Sequence, residues 1–206
     1  MKLKVCGMKY QENMQAVGRL QPDYMGFIFY DKSPRFFDTE IPKLTETITR
    51  TGVFVDADLD EVFQMIEKHD LKAIQLHGIE SAEYCNTLKT SHIEIIKVFS
   101  IRNEFNFDVL QPYEGIVDYF LFDTKGELPG GNGYTFDWNV LKDYPSTTSY
   151  FVSGGIGFDE VEKLKEFQED PASKYCYAID VNSKFEIEPG LKNVIELEKF
   201  KHDLQH

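Results

Sequence analysis

Apolar residues gather along this chain in short runs that recur roughly every 25 residues, a period that reads as a repeat of strand and helix. Eight such runs can be placed, at 3–7, 24–29, 52–55, 73–77, 93–99, 118–123, 149–153 and 176–181. Between most of them the apolar spacing becomes helical or a helix-start signal appears. Met14, Val17 and Leu20 recur every third residue. Leu59, Val62, Phe63 and Ile66 form an i, i+3, i+4, i+7 stripe, which Val161, Leu164, Lys165 and Gln168 repeat more weakly. Ser81 and Asp159 stand where helix N-caps are expected, and a last helix near 190–204 follows Pro189-Gly190. Strand alternating with helix predicts an α/β chain with a parallel sheet. Eight units in 206 residues fit a (β/α)8 barrel, a single domain over 1–206, better than the open doubly wound sheet that the same alternation permits.

Alternate residues of a barrel strand face the interior and the helices. If Cys6 points inward, so does Lys4; Gln75 accompanies His77, while Ile74 and Leu76 face the helices. Lys97 and Asp180 each interrupt an otherwise apolar strand. Barrel interiors are filled mostly by branched aliphatics, so polar residues on these faces need partners or a purpose. Strands 1 and 8 become neighbours when the barrel closes, and a Lys4–Asp180 ion pair is expected across that seam.

Composition narrows the class. The formal charge of −13 at pH 7 argues against nucleic acid, since phosphate-backbone binding draws on clustered Lys and Arg. Most acidic residues lie on helix patterns such as 58–67 and 159–169, a solvated outer face. An anionic ligand would have to find local positive potential in specific Arg residues, helix N-termini and backbone N–H groups. No apolar run approaches the roughly 18 residues of a membrane span, which predicts a soluble, cytoplasmic protein without membrane contact. Cys6, Cys85 and Cys176 lack metal-ligand spacing and read as free thiols, and the five His residues suggest no zinc site. The charge favours a monomer; apolar stretches such as Phe36-Phe37 leave a homodimer interface open.

Two runs end on residues able to do chemistry. The first stops on the thiol of Cys6 and the sixth on the carboxylate of Asp123. In a closed parallel barrel the C-terminal strand ends converge on one cavity, so a thiol and a carboxylic acid meeting there suggest proton transfer. Taken alone, Cys6 reads first as a small buried hydrophobe, and Asp123 as a residue that caps a helix or orients a loop.

Lys4-Val5-Cys6-Gly7, Gly26-Phe27-Ile28-Phe29-Tyr30 with Lys32-Ser33-Pro34-Arg35, Gln75-Leu76-His77-Gly78, Asp123-Thr124, the segment from Gly130 to Trp138, and Ser153-Gly154-Gly155 resemble phosphoribosylanthranilate isomerase in both content and order. The resemblance covers nearly the whole chain. It implies a TIM barrel of tryptophan biosynthesis carrying out an Amadori rearrangement on an anionic sugar phosphate, with neither metal nor organic cofactor. It implies Cys6 as general base and Asp123 as general acid. It further implies Arg35 on the anthranilate carboxylate. Phosphate is expected between the loops of Gly154-Gly155 and Asp180-Val181-Asn182-Ser183, where barrel phosphate sites recur, and His77 reads either as a hydrogen-bonded barrel residue or as a polar wall of the pocket, outside the proton chemistry. At neutral pH these roles ask for a Cys6 shifted down from about 8.5 and an Asp123 shifted up from about 3.9.

The second phosphate loop departs from the family pattern Asp-Val-Ser-Ser-Gly-Val-Glu: Asn182 replaces a Ser, and Lys184 replaces the Gly before Phe185-Glu186. Lys184 adds charge for a dianion, or strains a backbone that wanted glycine by about 1 kcal/mol. Lys9, Tyr134 and Asn193 also replace frequent family residues. Gly130–Gly133 lacks dinucleotide-loop spacing and reads as a loop closing over substrate. Ser153 lacks the frame of a hydrolase nucleophile, and core packing suffices for Trp138. Two other readings stay open: another sugar-phosphate barrel enzyme such as an epimerase, and a barrel that binds a phosphorylated ligand without catalysis.

Overall fold

A computed structural model describes residues 1–90, 92–124 and 135–205. Eight parallel strands close into a barrel: β1 (Lys2–Val5), β2 (Tyr24–Ile28), β3 (Thr49–Phe54), β4 (Ala73–Leu76), β5 (Glu94–Ile101), β6 (Tyr119–Thr124), β7 (Tyr150–Ser153) and β8 (Cys176–Val181). Each pairs with its successor, and β8 returns to β1 with Lys4 opposite Asp180. Full closure leaves no strand edge exposed. The α-helices are α1 (Gln11–Arg19), α2 (Leu59–His69), α3 (Ala82–Leu88), α4 (Val161–Glu169) and α5 (Val194–Gln205). Between β8 and α5 an antiparallel hairpin, β9 (Glu186–Glu188) with β10 (Leu191–Lys192), folds beside the barrel mouth.

The helix complement is thinner than the periodicity predicts. No helix fills the described connection from β2 to β3, which carries only an isolated bridge between Ile28 and Phe36. Phe107–Tyr113 and Trp138–Asp143 form 3₁₀ turns in place of α-helices. Ser81 caps α3 as expected, its hydroxyl accepting from Tyr84 N–H at 3.1 Å. Asp159 is not a cap: it lies inside a 3₁₀ turn whose entry is tied by Glu160, which accepts from Gly157 N–H at 2.7 Å. Phe37 does not offer an interface. It is buried against Phe27, Phe29 and His69.

Two apolar layers hold the barrel. An inner cluster of Tyr24, Ala73, Ile96, Val98, Leu121, Phe151 and Ala178 fills part of the interior. A larger outer cluster includes Ile74 and Leu76 of β4 together with Cys85 and Leu88 of α3, in keeping with strand parity. Trp138 is buried in that outer layer against Phe167, with the Lys163 ammonium 4.4 Å from its ring centre. Lys97 spends its charge on loop closure: its ammonium donates to Glu80 Oε2 at 2.9 Å and to Gly78 O at 2.8 Å. Glu80 in turn accepts from the N–H groups of Gly78 and Asp56, pinning the turns after β3 and β4. All three cysteines are free thiols. Among the described residues no helix is long and apolar enough to cross a membrane.

Candidate active site

The C-terminal ends of the strands surround a cavity of about 380 Å³, within the range that takes a small metabolite. Cys6, Arg35, His77, Asp123, Gly154, Gly155, Asp180, Asn182 and Ser183 all line it. Cys6 lies one residue past β1, held by its N–H donating to Val181 O at 2.9 Å. Gly26 of β2 makes room for the thiol: a Cβ there would sit 2.7 Å from Cys6 Sγ. Asp123 is the fifth residue of β6 and 4 % exposed.

Beneath the thiol, Lys4 and Asp180 form the expected ion pair, with Nζ 2.7 Å from Oδ2. Burial opposes the charge on Lys4, yet Asp180 and the neighbouring Cys6 hold its ammonium above the ordinary value. Burial also raises the Asp180 carboxyl, against the pull of Lys4. The Cys6 thiol is pushed up by burial, although the Lys4 and Lys192 ammonium groups pull it down. That direction corrects the lowering expected from the sequence, because a thiol this enclosed loses more from desolvation than two cations return.

His77 follows β4 and stands beside the carboxylate: its Nε2 lies 3.5 Å from Asp123 Oδ2, and its Nδ1 lies 3.3 Å from Gln75 Nε2. Gln75 Oε1 and Asp180 Oδ1 are buried and accept no hydrogen bond from the described residues. Both residues line the cavity, so donors from a bound molecule or water would satisfy them.

On one flank Arg35 is fastened by Glu186, which accepts from Nε at 2.8 and 3.0 Å and from Nη2 at 2.6 Å. Sequence reasoning missed this partner and also Lys192, whose ammonium lies 2.6 Å from Glu186 Oε1. One signal was available for Lys192: a cation just ahead of α5 stands at the unfavourable end of the helix dipole. Arg35 and Lys192 hold Glu186 below the usual carboxylate range despite its burial, and burial brings Lys192 down to about 8 against the pull of Glu186.

On the other flank Gly154 (φ +90°) and Gly155 (φ +70°) follow β7 in the left-handed region. A Cβ on Gly154 would lie 2.4 Å from Thr124 Oγ1, so the main chain itself forms the wall there. Ser183–Phe185 make a 3₁₀ turn. Lys184 does not take the left-handed conformation, which among described non-glycine residues is found only at Gln21, Asp56 and Asp70. The expected glycine strain is therefore absent, and Lys184 simply adds a cation to the cavity wall. Residues 130–133, read as a closing loop, lie outside the described residues.

A model of the family described as N-(5'-phosphoribosyl)anthranilate (PRA) isomerase matches residues 3–202. The N-(5'-phosphoribosyl)anthranilate isomerase of Parabacteroides distasonis is 38% identical over 212 residues, covering 99% of this chain and 93% of the relative. The enzyme of the same name from Phocaeicola vulgatus is 38% identical over 203 residues, covering 98% and 97%. Among solved structures, the phosphoribosyl anthranilate isomerase of Thermotoga maritima superposes with a TM-score of 0.83 at 28% identity, covering 100% of this chain and 98% of that one. The Thermus thermophilus structure gives 0.85 at 24%, with the same coverage, which speaks for the fold. With the barrel, the cavity and the ordered motifs in agreement, the chain belongs to the N-(5'-phosphoribosyl)anthranilate isomerase family of tryptophan biosynthesis.

Proposed function

We propose that this isomerase converts N-(5-phosphoribosyl)anthranilate into 1-(2-carboxyphenylamino)-1-deoxy-D-ribulose 5-phosphate, with Asp123 as general acid and Cys6 as general base. The observation that carries the reading is that both groups open onto one cavity whose walls also hold Arg35 and the Gly154-Gly155 turn.

The chemistry needs one acid and one base. Protonated Asp123 gives its proton to the furanose ring oxygen as the C1–O bond breaks, and the anilinic nitrogen lone pair forms the C1=N iminium. The Cys6 thiolate takes the C2 proton, and the electron pair of that C–H bond flows into an enolamine. Return of a proton to C1 and ketonisation at C2 complete the isomerisation, with no net loss of atoms or electrons. Lys4 and Lys192 are the cations placed to stabilise the thiolate against desolvation. His77 borders the acid, with its Nε2 3.5 Å from Asp123 Oδ2.

Binding divides between the two flanks. Arg35 presents a guanidinium to the anthranilate carboxylate, and its Glu186 clamp fixes the plane of the fork. The phosphate fits between the Gly154-Gly155 turn and the Asn182-Ser183-Lys184 loop, where barrel phosphate sites recur.

The substrate fluoresces through its anthranilate ring, so turnover is read as a loss of that fluorescence. The purified chain is expected to consume it and yield the ribulose product. Binding without consumption would instead favour a non-catalytic barrel, and consumption to a different product another sugar-phosphate enzyme.

A further inference from the structure

We infer that Lys192 is a positioning residue that couples the two anion-holding flanks of the cavity, fixing Arg35 through Glu186 and the phosphate-side loop through Asn182. The inference rests on the substrate reading above for what each flank holds. Its geometry is independent of that reading.

Lys192 is anchored before its side chain does anything. Its N–H donates to Asn13 Oδ1 and its carbonyl accepts from Asn13 Nδ2, both at 2.8 Å, so α1 fixes the backbone from which the ammonium extends. The side chain is fully enclosed. Its ammonium reaches Glu186 Oε1 and Asn182 Oδ1, each at 2.6 Å, and Asn182 O at 3.4 Å. Glu186 is thereby held between Lys192 and Arg35, while Gly190 N–H adds a bond to Oε1 at 3.0 Å.

The two flanks meet over Gly7. A Cβ at that residue would lie 2.8 Å from Arg35 Cδ and 2.7 Å from Asn182 Oδ1, so the arginine stem and the asparagine amide share the space a side chain would fill. One ammonium beneath them sets both positions.

Charge gives the arrangement its sense. An Arg35–Glu186 pair alone is neutral and offers an incoming carboxylate little net attraction. Adding Lys192 leaves the trio with one surplus positive charge in an enclosed site, where that charge acts at short range and low dielectric. An apolar side chain of similar volume would fill the same space without the desolvation that a buried ammonium carries. The retained charge therefore points to binding rather than packing.

The test uses the full chain, wild type and Lys192→Met, both first checked for a cooperative thermal transition. Anthranilate and inorganic phosphate serve as separate probes of the two flanks by titration calorimetry, and KM and kcat are measured with N-(5-phosphoribosyl)anthranilate. In Lys192→Met the affinities for both probes fall together and KM rises, each by about tenfold, while kcat falls in addition because Cys6 loses one of its two cations. Loss on one probe alone, unchanged affinities, or a fall confined to kcat overturns the inference.

Should Lys192→Met fail to fold, the wild type answers. The groups facing the ammonium are Glu186 from β9, Cys6 after β1 and Arg35 after β2. Both probe affinities should fall in parallel as pH rises from about 7 to about 9.5 and Lys192 loses its proton; flat or divergent profiles overturn the inference. Absence of wild-type turnover would sink the isomerase reading while leaving the two-probe pattern to decide the coupling.

Discussion

Lys4 and Asp180 are register partners across the β1–β8 seam, and their side chains meet inside the barrel with Nζ 2.7 Å from Oδ2. The pair closes the ring of strands and places a cation beside the thiol of Cys6. Replacing Lys4 with Met should therefore act twice. It leaves Asp180 buried without its counter-charge, which costs about 3 kcal/mol of stability, measurable by urea unfolding. It also removes a pull on the thiol, so the pH–rate limb belonging to Cys6 should move to higher pH. A variant as stable as wild type with an unmoved limb would contradict both roles.

Gly26 is the nearest constraint on the thiol from β2. A methyl group there would come within 2.7 Å of Cys6 Sγ, and the barrel backbone on either side cannot yield easily. Gly26→Ala should keep a cooperative transition while lowering kcat by about 100-fold, the order expected for a displacement of about 1 Å at a reacting atom. Steady-state kinetics beside thermal melting separate this from simple unfolding. A kcat within twofold of wild type would show that the thiol is not held where the chemistry needs it.

The buried ammonium of Lys192 predicts how stability responds to pH. Its folded-state value of about 8 lies below the 10.5 of an unperturbed lysine, so the folded chain binds fewer protons than the unfolded chain between those values. Stability relative to Lys192→Met should therefore rise with pH through that window, by roughly 1.4 kcal/mol per pH unit, and be flat just below about pH 7, above the range in which Glu186 titrates. Paired urea melts at several pH values check the sign. A difference that falls as pH rises would mean that Lys192 is stabilised, not strained, by its surroundings.

Much of the barrel is legible in the sequence because strands buried on both faces read as nearly unbroken apolar runs. β8 matches its predicted span, and most others shift at their ends by one to three residues. β3 starts at Thr49, three residues early, since its polar opening Thr49-Arg50-Thr51 carries no apolar signal. Parity was equally readable: alternation alone put Lys4 with Cys6 and Gln75 with His77. The helices were less so, because Phe107–Tyr113 is interrupted by Pro112 and settles as a 3₁₀ turn. Pairings that join distant segments were not legible at all. Nothing local to Arg35 announces Glu186, 151 residues further on, and nothing near Cys6 announces that desolvation outweighs its two cations.

Whether one thiol and one carboxyl act on the same bound sugar is measured most directly by single-turnover consumption of the fluorescent substrate by wild type, Cys6→Ser and Asp123→Asn. Both variants should still bind it and should slow its consumption by about 100-fold to 10,000-fold, the usual contribution of a general acid or base. Wild-type rates in both variants would contradict the assignment.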